Sequence, residues 1–188
     1  MRELATPLCV LEPQVASHAE KIFHVLSDPA MYEFENAPPE SEVWLHERFR
    51  KLEARQSPDG SQRWLNWVVR LHDGQLAGYV QATVFADGHA LIAYELASRH
   101  WRRGIGTSSV NAMMEELALH YGVGRYVAVL KARNARSLGL LASMGFAAAT
   151  SDEAARHGPE PDEIVMTKQA LSRTTPDHMS ARGPACSA

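Results

Sequence analysis

Only two cysteines occur in the 188 residues, Cys9 and Cys186. They stand near opposite ends, the second in a polar tail, so neither a disulfide framework nor a thiolate zinc site can be assembled from them. Histidine is more plentiful, at nine residues. No two of them fall at the H-E-x-x-H or H-x-x-x-H spacing that puts a pair of ligands on one helix face, and no metal is expected. Long apolar runs are also missing. Nothing approaches the ~20 apolar residues of a membrane span, and the opening MRELATPLCVLEP lacks the apolar core of a signal peptide, so no membrane partner and a cytoplasmic location are expected. The formal net charge is −3. That total gives no reason to expect a nucleic-acid partner. With 45% hydrophobic and 22% charged residues, the remaining expectation is one soluble domain large enough to bury a core. Residues 1–169 are assigned to that domain. From Ala170 onward the chain is polar and aperiodic, the pattern of a flexible tail.

The part that carries a specific chemical signal runs from Arg99 to Tyr121. Val110, Met113, Met114, Leu117, Ala118 and Tyr121 recur at helical spacing, and Gly122 stands where a left-handed cap would end the helix. Just ahead of them, Arg102-Arg103-Gly104-Ile105-Gly106-Thr107 places two glycines and two cations where the free N–H groups of the first turn point outward. Such a loop suits an anion, phosphate above all. The alternative is a glycine turn with two solvated arginines. G-x-G-x-x-G is absent, because Ser109 takes the third glycine position, and a dinucleotide-binding oxidoreductase is accordingly disfavoured.

Around this loop the elements read in a definite order. Leu8 to Leu11 is a short strand; Ser17-His18-Ala19-Glu20 matches a capping box opening a helix through Leu26; Asp28-Pro29 closes it. Met31 to Pro39 is an aperiodic loop, and Ser41 caps a second helix. Alternation from Trp64 to Leu71, the turns at Asp73-Gly74 and Asp87-Gly88, and the strand Leu91–Ala97 describe an antiparallel meander, with the first of these strands half-buried. A strand at Tyr126–Leu130 follows the central helix, which requires a parallel crossover. Asn134 to Met144 is a helix. Phe146–Thr150 and Asp162–Lys168 are closing strands, and Ser151–Pro161 is a charged loop between them.

Strand, x-x-G-x-G loop, helix, strand, then Asn134-Ala135-Arg136-Ser137 and Gly145-Phe146: this order resembles the GNAT N-acetyltransferases, in particular the subgroup acting on the N-termini of ribosomal proteins. The likeness runs from about Leu8 to Lys168 and takes in Leu26-Ser27-Asp28-Pro29 and Tyr94-Glu95-Leu96. It departs from the superfamily at one signature position, where Trp101 replaces Arg or Gln, although an aromatic is familiar there in this subgroup. The resemblance implies an α+β fold with a central mixed twisted sheet of about six to seven strands flanked by about four helices. It also implies acetyl-CoA as co-substrate without a metal, and a homodimer as one oligomeric state open to the chain.

By the same resemblance, the diphosphate would rest on Arg102, Arg103, Gly104, Ile105, Gly106 and Thr107. The pantetheine arm would pair with the backbone at Leu96, Ala97 and Ser98 and meet Asn134, which as a helix N-cap has a second use. A backbone N–H near Leu96 is the expected oxyanion donor. Glu95 interrupts an apolar strand one residue away and is the candidate base; the alternatives are a simple polar row on the strand, or His89, His100 or a water chain as base. The superfamily's tyrosine seven residues after the asparagine is Leu141 here, which leaves Ser137 as candidate proton donor to the thiolate or as a local capping residue. Tyr32, Phe34 and Glu35 either wall the acceptor site or form an ordinary loop. The acceptor would be a primary amine, of a small molecule or a protein N-terminus. A CoA-binding sensor or scaffold with weak or no chemistry is the alternative reading.

Overall fold

The computed structural model of the chain describes residues 1–34 and 36–170. Its strands are β1 (Leu4–Ala5), β2 (Cys9–Pro13), β3 (Gln62–Leu71), β4 (Leu76–Phe85), β5 (His89–Leu96), β6 (Arg125–Lys131), β7 (Ala147–Ala148) and β8 (Glu163–Gln169). The helices are α1 (Ala19–Leu26), α2 (Glu42–Leu52), α3 (Ile105–His120), α4 (Ala135–Ser143) and α5 (Ser151–Ala155). All eight strands join one sheet in the order β1-β2-β3-β4-β5-β6-β8-β7. Every pairing is antiparallel except β5 with β6, the pair that α3 connects.

Helices cover both faces of the meander. Leu65, Trp67 and Val69 of β3 and Val80 and Ala82 of β4 enter one core with Ile105, Val110, Met113, Leu117 and Leu141 from α3 and α4. Val68 enters a second core with Ile22, Val25 and Leu26 of α1 and Leu45 and Phe49 of α2, against which Tyr79 packs. The expectation of a half-buried β3 is thus corrected: Asn66 and Val68, on its supposed polar side, are also buried. Because strand side chains alternate, Tyr94 and Leu96 of β5 pack against the first core while Glu95 faces the α1–α2 side.

Several expected boundaries shift for identifiable reasons. Ser17 does not cap α1; Ala16–His18 instead forms a 3-10 turn, and α1 begins at Ala19. His18 Nδ1 accepts the Val15 N–H (3.1 Å) and the Glu53 carboxylate accepts the Ala16 N–H, so these two donors at the start are met without the serine. The closing strand expected at Phe146–Thr150 shrinks to Ala147–Ala148, and the expected loop Ser151–Pro161 begins with α5. Thr150 and Glu153 make a reciprocal capping box there. Beyond Ala170, the expected tail and Cys186 lie outside the described residues, as does Glu35.

Candidate functional site

Strands β5 and β6 pair in parallel only as far as Leu91 and Val127, while β5 stays on β4 through Leu96. The splay opens a cavity of about 640 Å³ between β5, the start of α3 and α4. Ala97 donates its N–H back to Ala77 O at 2.9 Å. By the alternation of an antiparallel ladder, Tyr94 and Leu96 then direct their backbone groups the other way, toward the gap left by β6. Trp101 occupies one of these, its Nε1–H donating to Leu96 O at 2.7 Å.

A close approach of β4 holds this strand end in place. Gly78 sits opposite Leu96, beside a register shift in β3 at Val69/Arg70. A Cβ at Gly78 would fall 1.9 Å from Glu95 O, so only glycine fits there.

The expected anion loop has left-handed backbone at two points. Arg102 is left-handed at φ 57°, and Gly104, the N-cap of α3, at φ 77°. No side chain caps the helix, and its first internal bond runs from Ser108 N–H to Gly104 O. The N–H groups of Ile105, Gly106 and Thr107 therefore precede the helical ladder. Gly106 lies so close to its neighbours that a Cβ would meet Leu140 Cδ1 at 2.9 Å. Left-handed backbone at a non-glycine costs on the order of 1 kcal/mol or more, and such strain concentrates at ligand clamps.

The expected site residues divide by where their groups point. Glu95, Leu96, Arg102, Gly104, Gly106, Thr107, Asn134 and Ser137 all line the cavity. Ile105 is core and Arg103 is exposed; any part they take would fall to the Ile105 backbone and the Arg103 charge. Ala97 and Ser98 are committed elsewhere: the Ala97 N–H to Ala77, and the Ser98 N–H to Asp28 Oδ2 at 2.7 Å. Asp28 also receives the Ala30 N–H at 3.1 Å, and its bond from Ser98 holds its carboxyl below the usual range. Asn134 caps α4, Oδ1 accepting the Ser137 N–H at 3.1 Å, which leaves its Nδ2 to offer a ligand. Leu141, at the superfamily's tyrosine position, is 1% exposed and packs into the core rather than lining the cavity.

On the α1–α2 side, Tyr79 stands opposite Glu95 in the ladder, within reach of its charge. Asn36 Nδ2 donates to Glu95 Oε1 at 3.3 Å. Burial first, and then the Glu95 charge, push the Tyr79 and Tyr32 hydroxyls well above the usual tyrosine range. The Tyr32 hydroxyl donates to Leu26 O (2.7 Å), so it fastens the loop to α1. Across the mouth, the Arg136 guanidinium sits 4.2 Å from the Trp101 ring and 5.2 Å from the Phe34 ring, and pairs with Glu33 at 2.7 Å. His89 lies away from the cavity, stacked on Phe85 and paired with Asp87 at 2.5 Å. His100 does line the cavity. Among the described residues, no group of three His, Cys, Asp or Glu side chains is placed to hold a metal, and no helix is long and apolar enough to cross a membrane.

Tyr79, Tyr94, Asn36 and Arg136 were not legible as site residues one by one. Tyr79 had a signal all the same: counting outward from the Asp87-Gly88 turn sets it opposite Glu95.

Known proteins share this fold. Residues 9–147 match the family model described as an acetyltransferase (GNAT) domain. A RimL ribosomal L7/L12 alpha-N-protein acetyltransferase in complex with coenzyme A superposes with a TM-score of 0.75 at 16% identity, over 89% of this chain and 98% of its own. The ribosomal-protein-S5-alanine acetyltransferase from Vibrio fischeri gives 0.73 at 18% identity, over 90% and 97%. An acetyltransferase from Thermus thermophilus gives 0.66 at 18%, over 90% and 100%. No curated protein sequence matches the chain. The chain belongs to the GNAT acetyltransferase family and is an acetyl-CoA-dependent acetyltransferase.

Proposed function

We propose that the chain transfers the acetyl group to a primary amine by direct attack, the acceptor being a small-molecule amine or a protein N-terminus. The observation that carries this reading is one cavity lined by Glu95, Leu96, Asn134, Ser137 and the uncapped start of α3. Acetyl-CoA supplies an activated thioester. Backbone N–H groups from Ile105 to Thr107 and the Arg102 charge hold its diphosphate; Leu96 and Tyr94 backbone groups and Asn134 Nδ2 align the pantetheine arm. The Leu96 N–H stabilises charge building on the carbonyl oxygen.

An ammonium group cannot attack, so a base must first take its proton. Glu95 is the candidate, on the side facing the α1–α2 loop, with Asn36 Nδ2 donating to its carboxylate and Tyr79 opposite it in the ladder. Ser137 is the candidate donor to the departing sulfur. Two neighbours with this fold carry names as acetyltransferases of ribosomal proteins, which supports including protein N-termini among the acceptors.

The test is to incubate the pure protein with acetyl-CoA and a panel of primary amines, including N-terminal peptides, amino acids and polyamines, and to follow thiol release. Turnover with at least one amine is expected. Binding of acetyl-CoA with no transfer to any amine would favour the sensor or scaffold reading. Gly104→Asp should abolish the rise in melting temperature that CoA produces, and a surviving rise would move the cofactor away from this loop.

A further inference from the structure

His100 is 4% exposed, lines the cavity and lies between two guanidinium groups. Arg99 Nε donates to His100 Nε2 at 3.1 Å, and Arg103 Nη1 lies 3.4 Å from His100 Nδ1. Guanidinium groups only donate, and a neutral imidazole has one acceptor nitrogen. Arg99 makes the shorter of the two contacts, which assigns the acceptor to Nε2 and the proton to Nδ1. At Nδ1 two donors then face each other with no acceptor between them.

A buried donor without an acceptor is costly, and two converging donors beside a cavity describe the place of a shared anionic oxygen. We propose that His100 is a cofactor-binding residue: its Nδ1–H and the Arg103 guanidinium together hold one phosphate oxygen of CoA, with Arg99 as the residue that sets the tautomer. The charged groups facing the ring are Arg99 and Arg103 from its own loop and Asp73 from the β3–β4 turn. Burial, followed by the two arginines, holds the imidazole below its usual range, which keeps the ring neutral near pH 7. No base role for His100 is needed in this arrangement.

The proposal rests on the anion loop being the cofactor site, and the experiment separates the two. CoA, 3′-dephospho-CoA and pantetheine are titrated calorimetrically against the wild type, His100→Phe, His100→Asn and Arg103→Gln, with the melting temperature of each variant checked. His100→Phe and Arg103→Gln should each weaken CoA by about tenfold to a hundredfold, the loss of a charge-assisted hydrogen bond, and leave pantetheine unchanged. The double variant His100→Phe with Arg103→Gln, titrated alongside, should lose less than the sum, because both donors serve one oxygen. His100→Asn, which keeps a donor near the Nδ1 position, should recover much of the affinity. Loss with CoA but not with 3′-dephospho-CoA assigns the oxygen to the 3′-phosphate, and equal loss with both assigns it to the diphosphate. An unchanged CoA affinity in His100→Phe, or an equal loss for pantetheine, overturns the proposal and leaves the ring a packing role. Failure of the wild type to bind CoA, or CoA binding that survives Gly104→Asp, overturns the loop assignment itself.

Discussion

The indole of Trp101 donates to the carbonyl of Leu96 at 2.7 Å, tying the first residue of the phosphate-loop signature to the last residue of β5. The same ring carries the Arg136 guanidinium on its face. One side chain thus braces the strand end whose Leu96 N–H is the proposed oxyanion donor and joins it to α4. Trp101→Phe keeps the ring for Arg136 and removes the hydrogen bond. It should lower kcat/KM for acetyl-CoA by about fivefold to tenfold, the value of one neutral bond, at nearly unchanged melting temperature. Trp101→Leu should cost more, since it also removes the cation–π contact.

Glu95→Gln preserves shape and removes the proposed base. Turnover should fall by about 10²–10⁴-fold in single-turnover assays, with CoA affinity close to wild type. Tyr79→Phe should produce a smaller loss of the same kind, because Tyr79 stands opposite Glu95 in the ladder and does not line the cavity. A wild-type pH–rate profile in Glu95→Gln would place the base elsewhere.

Gly78→Ala puts a methyl where Glu95 O now sits, at 1.9 Å. The two strands must separate at the site, so a loss above about 2 kcal/mol of stability is expected from urea unfolding, together with lost activity. Gly74→Ala is the comparison: it is also left-handed, at φ 87°, yet its Cβ meets nothing within 4 Å. It should cost only about 1 kcal/mol.

How much of this the sequence revealed follows from which interactions are local. The x-x-G-x-G loop, the Asn134 and Ser41 caps and the hairpin turns depend on a few neighbouring residues, and the structure has these elements where their patterns put them. Three things depended on distant groups and were not legible. The Ser17 capping box lost to donors satisfied by His18 and Glu53; β3 is buried on both faces because α1 and α2 cover what alternation alone marks as polar; and the Ala97 and Ser98 amides are taken by Ala77 and Asp28. Arg136 reads as a surface charge until Phe34, Trp101 and Glu33 are seen around it.

Acid should weaken the fold through Glu12. Arg70 donates to both carboxylate oxygens, at 2.6 and 2.8 Å, and holds the Glu12 carboxyl below its usual range. A carboxyl lowered in the folded state contributes stability that is complete above its unfolded value of 4.5 and is lost as pH falls through the folded value. His18, lowered chiefly by burial, acts in the same sense below 6.5, because the unfolded chain then binds the proton first. Urea midpoints of the wild type should therefore fall from pH 7 through pH 4, and Arg70→Met should show a shallower fall than wild type over the lower part of that range.

The proposed transfer returns a proton to the departing sulfur, and two of the hydroxyls that line the cavity, those of Ser137 and Tyr94, are the candidates for it. Ser137 lines the wall beside Asn134, and the Tyr94 hydroxyl lies 3.5 Å from Ser137 O, with burial raising Tyr94 above the usual tyrosine range so that it stays protonated. Leu141 offers no route back to the superfamily's tyrosine: a larger side chain there would enter the packed core, so Leu141→Tyr should destabilise by about 1–3 kcal/mol and restore nothing. A thiol of pKa about 8.5 is already a fair leaving group near neutral pH, so the donor's contribution should be modest. Ser137→Ala should lower kcat by about tenfold to a hundredfold, with CoA affinity falling only slightly. Tyr94→Phe measured beside it decides between the hydroxyls. If Ser137 donates, the loss follows Ser137→Ala and shrinks when the thioester carries a more acidic thiol, because a better leaving group needs less help. The same dependence appearing in Tyr94→Phe, with Ser137→Ala unimpaired, would move the proton to Tyr94.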